Sequence, residues 1–172
     1  MPVLAGDDVL ASDIWRTRYV YKSASEAVTS STVLQNDNEL FIALPLGQFR
    51  VETFLSVTGQ NSTTLGGISM AWTNTGTMTG LTRACMGPAF GAIAQTTANL
   101  GADSSRWTTH GLTTPVAYGG LGTATAIVHE DLLVDVTIAG TLTLQWAQRA
   151  STGTATNVGV GSRLMVTQVE AV

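Results

Sequence analysis

Two long alternating runs dominate the last third of the chain. In the first, Ala126, Val128, Leu132, Val134, Val136 and Ile138 share one parity, interrupted only by Glu130. In the second, Leu142, Leu144 and Trp146 alternate with Thr141, Thr143 and Gln145. A period of two over this length predicts strands, each with one apolar and one polar face, and Ala139-Gly140 between them reads as a hairpin turn. Trp146 falls on the apolar parity and is expected in the core.

The same pattern recurs in shorter pieces. Arg16 to Lys22 places Tyr19 and Tyr21 on one face and Arg18, Val20 and Lys22 on the other. Glu26 to Leu34 is a weaker strand candidate. Glu39 to Leu44 and Phe49 to Thr58 are clearer, and Phe49, Val51, Leu55 and Val57 align on one side. Pro45 to Gln48 supplies the turn between them, with Gly47 as its flexible position. Ile68, Met70 and Trp72 mark a further strand after Gly66-Gly67. From Gly76 to Gly120 the chain is rich in Gly, Ala and Thr, and the expectation is of short strands near Leu81–Ala84, Arg106–Thr109 and Val116–Tyr118 joined by long loops. Val160 to Val169 forms the closing strand. No stretch has the spacing of an amphipathic helix.

Many short strands without crossover helices predict an all-β fold, an antiparallel sandwich of the jelly-roll kind, with an immunoglobulin-like sandwich as the alternative. Residues 16–172 form this domain. Residues 1–15 differ: Val3, Leu4, Val9, Leu10, Ile14 and Trp15 are broken up by Gly6, Asp7-Asp8 and Ser12-Asp13. So short a segment cannot bury those side chains by itself. An extended N-terminal arm laid on a partner's surface buries them, each large one stabilising by about 1.5–3 kcal/mol. A strand packed on its own domain would do the same.

Composition sharpens this picture. A chain of 172 residues is one ordinary domain and needs no covalent staple. Only 12% of its residues are charged, about half the usual share, and none is charged from Thr53 to Thr82. Threonine fills about one position in six, and its branched β-carbon suits a pleated strand. A surface coated by hydroxyls rather than charges suggests that part of it is covered by other copies or another protein. The net charge of −4, with Lys22 the single lysine, argues against a nucleic-acid partner, which needs a clustered basic face. No apolar run of about 18 residues is present to span a bilayer as a helix. The opening residues lack the basic-then-apolar layout of a secretion signal, so folding is expected to begin in a cytoplasm.

Little in the sequence points to catalysis. His110 and His129 have no metal-ligand spacing. In His129-Glu130-Asp131 a strand puts His129 and Asp131 on one side and Glu130 on the other, so an exposed polar patch or a subunit contact fits better than a metal site. No nucleophile elbow or phosphate-binding loop occurs. The lone Cys85 lies in an apolar context as a buried, inert thiol. The expectation is therefore of no enzyme activity, cofactor or metal. Trp72, Trp107 or Trp146 on a loop could stack on a sugar ring. Arg106, Trp107 and His110 form the best candidate ligand contact, with loop anchoring as the competing role for Trp107.

Two segments carry a resemblance. Leu4-Ala-Gly-Asp-Asp-Val-Leu-Ala-Ser-Asp13 resembles the start of small structural proteins of tailed bacteriophages. Ile138-Ala-Gly-Thr-Leu-Thr-Leu-Gln-Trp-Ala-Gln148, followed by Thr154-Ala-Thr156 and Gly161-Ser-Arg-Leu164, resembles the C-terminal half of the same group, which is similar to the trimeric jelly rolls of the complement and tumour-necrosis-factor class. The two cover about a third of the chain, and Thr75 to Gly120 resembles nothing familiar. The resemblance implies a homotrimeric virion structural protein displayed on the particle surface and made in the host's cytoplasm. Its expected role is capsid decoration, docked on the major capsid protein through Val3, Leu4, Val9, Leu10, Ile14 and Trp15. The alternative is a knob at the tail tip or baseplate that binds a host-surface glycan. The absence of a heptad or collagen-like shaft after the arm favours decoration.

Overall fold

A computed structural model describes residues 17–59, 67–88, 103–106, 110–119 and 122–169. The arm residues Val3, Leu4, Val9, Leu10, Ile14 and Trp15, and Trp107, lie outside these. The described residues form twelve strands and no helix. They are β1 (Arg18–Tyr21), β2 (Glu26–Val28), β3 (Gln35–Leu44), β4 (Gly47–Gly59), β5 (Ile68–Asn74), β6 (Thr77–Pro88), β7 (Asp103–Arg106), β8 (Val116–Tyr118), β9 (Gly122–Ile138), β10 (Gly140–Gln148), β11 (Thr156–Val158) and β12 (Arg163–Val169).

The strands make two antiparallel sheets packed face to face. The larger runs β1-β12-β4-β9-β6-β7, with β11 also pairing β4 and carrying β2 at its edge. The smaller runs β3-β10-β5-β8. This is a β-sandwich, and the all-β expectation holds.

Alternation builds the core. From the larger sheet β4 contributes Phe49, Val51, Leu55 and Val57, and β9 contributes Val128, Leu132, Val134 and Val136, all buried. From the smaller sheet come Leu40, Ile42 and Leu44 of β3, Leu142, Leu144 and Trp146 of β10, and Ile68, Met70 and Trp72 of β5. Each such side chain stabilises by about 1.5–3 kcal/mol through burial, so the interlocked inner faces are what hold the sheets together.

One local expectation is overturned. Ala139-Gly140 is not a hairpin turn, because β9 lies in the larger sheet and β10 in the smaller. The chain crosses between sheets there, as it does at Pro45-Leu46 between β3 and β4 and at Thr75-Gly76 between β5 and β6. Both strands keep their apolar parity toward the same interior, which a crossing satisfies as well as a hairpin does. Ile138, read as inward, therefore sits at the crossing and is 59% exposed.

Candidate functional site

The most concentrated chemistry lies inside the sandwich. Glu130 occupies an inward position of β9 and is fully buried. Its Oε1 accepts hydrogen bonds from Arg83 Nη2 at 2.8 Å and the Tyr118 hydroxyl at 2.6 Å. Its Oε2 accepts from Arg83 Nε at 3.0 Å and Trp72 Nε1 at 2.9 Å. Cys85 Sγ sits 3.8 Å from Oε1. The rest of the Arg83 guanidinium donates to main-chain carbonyls: Met70 at 3.1 Å from Nη2, and Thr114 at 2.7 Å from Nη1, with Gly111 and Leu112 each at 3.3 Å. Strands β5, β6, β8 and β9 and the 111–114 turn are thus tied to one ion pair.

A second buried carboxylate repeats the arrangement. Asp37 opens the segment 37–40 of β3, which bulges opposite Leu144 alone: Thr143 pairs with Phe41 and Gln145 with Asn36. The carboxylate holds the bulge by accepting from the Glu39 and Leu40 amides, both at 2.9 Å. It also accepts from Lys22 Nζ at 2.8 Å and Trp146 Nε1 at 3.0 Å. Lys22 is itself buried and donates to Glu26 at 2.9 Å. Each buried tryptophan, Trp72 and Trp146, therefore points its indole N–H at a carboxylate neutralised by a buried cation.

Electrostatics follow from this geometry. Burial alone pushes Lys22 down, but the hydrogen bonds it donates to Asp37 and Glu26 outweigh it and the ammonium ends above its ordinary value. Burial alone likewise lowers Arg83, while the charge of Glu130 raises it net. Burial, then the Glu130 charge, pushes both the Cys85 thiol and the Tyr118 hydroxyl up, so both stay protonated at neutral pH. Among the described residues no buried side-chain nitrogen or oxygen lacks a partner. Glu130 and Asp37 have their lone pairs committed to fixed donors, which makes them braces of the fold.

The outer face of the larger sheet is different. The register places Tyr21, Arg163, Phe54, His129 and Met86 in one row across β1, β12, β4, β9 and β6. Tyr19 and Tyr21 stack at 5.9 Å between centroids. The Arg163 guanidinium carbon lies 4.6 Å from the centre of the Phe54 ring, and the His129 ring is 4.6 Å away from it. His129 Nδ1 lies 2.6 Å from the Thr53 carbonyl and donates to it. One row along, Arg50 bridges Asp131 at 2.6 Å and Glu52 at 3.1 Å. Tyr19 and Tyr21 are more than half exposed, and Phe54 and Ile127 also reach solvent.

The trio His129-Glu130-Asp131 splits as its strand parity requires: His129 and Asp131 outward, Glu130 inward. Cys85 is buried and Trp146 is core, as expected; Trp72, considered as a sugar platform, is buried instead. Of the candidate ligand residues, Arg106 ends β7 and His110 is half-buried at the start of the next turn. Sequence reasoning missed Arg83 and Asp37 as buried partners. The available signal was a charge at an inward position, and register shifts obscured it in both strands.

Compared with known proteins, the chain matches no family model, no curated protein and no solved structure.

Proposed function

We propose that this chain is a non-enzymatic structural protein of a tailed-phage virion, a homotrimeric capsid decoration protein docked through residues 1–15. The observation that carries this reading is the division of labour between inside and outside. The interior carboxylates are spent on holding the sheets in register. The outer face of the larger sheet, by contrast, presents a row of aromatic and cationic side chains of the kind enriched where proteins meet. A charge-poor, threonine-rich surface and an apolar arm that needs a partner support the same reading, as does the resemblance at both ends of the chain.

Labelled antibody on purified particles tests it. Hundreds of copies over the head accord with decoration, whereas a handful confined to the tail accord with a tail-tip or baseplate knob. No label on any particle overturns both. Deleting residues 1–15 is expected to leave a folded trimer that no longer joins particles, and normal incorporation of that truncation would refute docking by the arm.

A further inference from the structure

We infer that Lys22 and Asp37 condense into an internal amide after the chain folds, with Glu26 as the base, so that a covalent bond joins the two sheets. The inference goes beyond the structural role proposed above and stands whether or not the chain is trimeric.

The choice of residue is the first observation. The chain has one lysine, and its other basic residues are all arginine. That one lysine is 2% exposed, a rare place for the type unless it is paired. In the Arg83–Glu130 pair the cation is a guanidinium, which keeps its proton and does not attack carbon. A lysine amine relieved of its proton is a nucleophile.

Geometry is the second. Lys22 Nζ lies 2.8 Å from Asp37 Oδ1 and 2.9 Å from Oδ2. A nitrogen that close to both oxygens is within about 3.5 Å of the carbon they share, a near-attack distance. Oδ1 accepts the Glu39 and Leu40 amides, both at 2.9 Å, two fixed donors aimed at the oxygen that gains charge on attack. Glu26 Oε2 accepts from Nζ at 2.9 Å and is oriented by the Asn38 amide at 3.2 Å. Glu39 stands further off, 3.9 Å from Nζ and partly exposed. Lys22 follows β1 at the edge of the larger sheet, and Asp37 lies in β3 of the smaller, so the amide fastens the start of the sandwich to the opposite sheet.

The step balances. One ammonium proton passes to Asp37, leaving a neutral amine and a carboxylic acid. Nζ then attacks Cγ, a second proton moves from Nζ through Glu26 to Oδ2, and the Cγ–Oδ2 bond breaks. One water departs, one proton stays on the amide nitrogen, and Glu26 ends as the carboxylate it began. Enclosure favours the product, because a neutral amide replaces two charges stripped of their hydration. The linked chain has no Lys22 ammonium, so that group titrates only in the unlinked one.

Peptide mapping of the full chain, folded, incubated and then denatured, tests this. Trypsin is expected not to cut after the linked Lys22, giving residues 19–50 as one peptide lighter by one water than its sequence. Further cleavage after Glu26 and Glu39 is expected to leave 19–26 and 27–39 joined. Lys22→Arg keeps the cation and is expected to yield 23–50 at full mass. Glu26→Gln, shown to be folded by its melting curve, is expected to stay mostly unlinked, because losing a general base slows such a step by about a hundredfold or more. Separate wild-type peptides 19–22 and 23–50 at full mass overturn the amide, whatever the variants do. Water lost from 23–50 of Lys22→Arg also overturns it, since the loss then arises elsewhere. Glu26→Gln linking as fast as the wild type overturns the assignment of the base.

Discussion

Arg83 and Glu130 meet inside the sandwich with Nη2 and Oε1 2.8 Å apart and neither side chain more than 1% exposed. An ion pair so enclosed loses the hydration of both charges, and it persists because every remaining donor of Arg83 finds a carbonyl. Removing one partner strands the other. Glu130→Leu is therefore expected to destabilise the fold by about 3–5 kcal/mol, whereas Glu130→Leu combined with Arg83→Met costs less than the single change. Urea unfolding of the two singles and the double, read as a double-mutant cycle, checks this. Additive losses would show that the pair acts as two independent residues.

Trp146 combines a large buried volume with a hydrogen bond to Asp37 at 3.0 Å. Trp146→Ala is expected to cost about 3–5 kcal/mol, as other large core truncations do. Trp146→Phe keeps much of the volume and forfeits the indole donor, and is expected to cost less. An unchanged melting temperature for Trp146→Ala would contradict the core placement.

Where the alternation is unbroken, as in β4, β9 and β10, the strands and their buried faces are legible in the sequence. Residues 77–88 are not, because the β6 register shifts between Gly80 and Thr82. Met78 packs on the core from an even position, while Arg83 and Cys85 are buried at odd ones. The inward parity flips at the bulge, so a single period breaks into fragments and the strand reads as Leu81–Ala84. In β3 the Asp37 bulge does the same, and only Glu39–Leu44 reads as regular. Of the candidate site, Glu130 is visible as an interruption of an apolar run. Its partner Arg83 is not, because pairing across strands depends on a register that the sequence does not display.

Alkaline pH is expected to weaken the fold in two stages. A group whose value is raised on folding stabilises fully below its unfolded value, and that contribution is lost as pH climbs toward the folded one. Cys85 is raised by burial and by Glu130, so the decline begins near pH 8.5, where an unfolded thiol ionises. Tyr118 and Lys22 are raised as well, and they join near pH 10, the ordinary range of both groups. The first stage has a slope of about 1.4 kcal/mol per pH unit, one proton's worth. Cys85→Ala should remove that stage and keep the second. A wild-type stability flat from pH 8 to 10 would contradict the assignment.

On the acid side the sign reverses. Glu39 is held below the ordinary carboxylate range by the Ser23 hydroxyl, then by the Ala24 and Ser23 amides. Its contribution is present above about pH 4.3, the value of a free Glu side chain, and fades as pH falls through the folded value. Glu39→Gln is expected to flatten part of the loss seen on acidification, measured as the urea midpoint against pH. An acid limb identical to the wild type would assign the loss to other carboxylates.

The two crossings at Thr75-Gly76 and Ala139-Gly140 interlock, and this predicts a sharp contrast among glycines. Thr75 N donates to the Thr141 carbonyl at 3.0 Å, and Thr141 N to Thr75 Oγ1 at 2.9 Å. A β-carbon on Gly140 would lie 2.0 Å from the Thr75 carbonyl oxygen, and one on Gly76 2.5 Å from that of Ile138. Both obstacles are backbone, which cannot swing aside. Gly140→Ala is therefore expected to cost about 3 kcal/mol, the upper range for overpacking. Gly161, unlike Gly140, has a left-handed φ of +84°, but nothing lies within 4 Å of its β-carbon position. Gly161→Ala meets only the intrinsic cost of that conformation, about 1–2 kcal/mol. Thermal unfolding of the two variants side by side decides the matter: equal losses would mean that the crossings are not packed against each other.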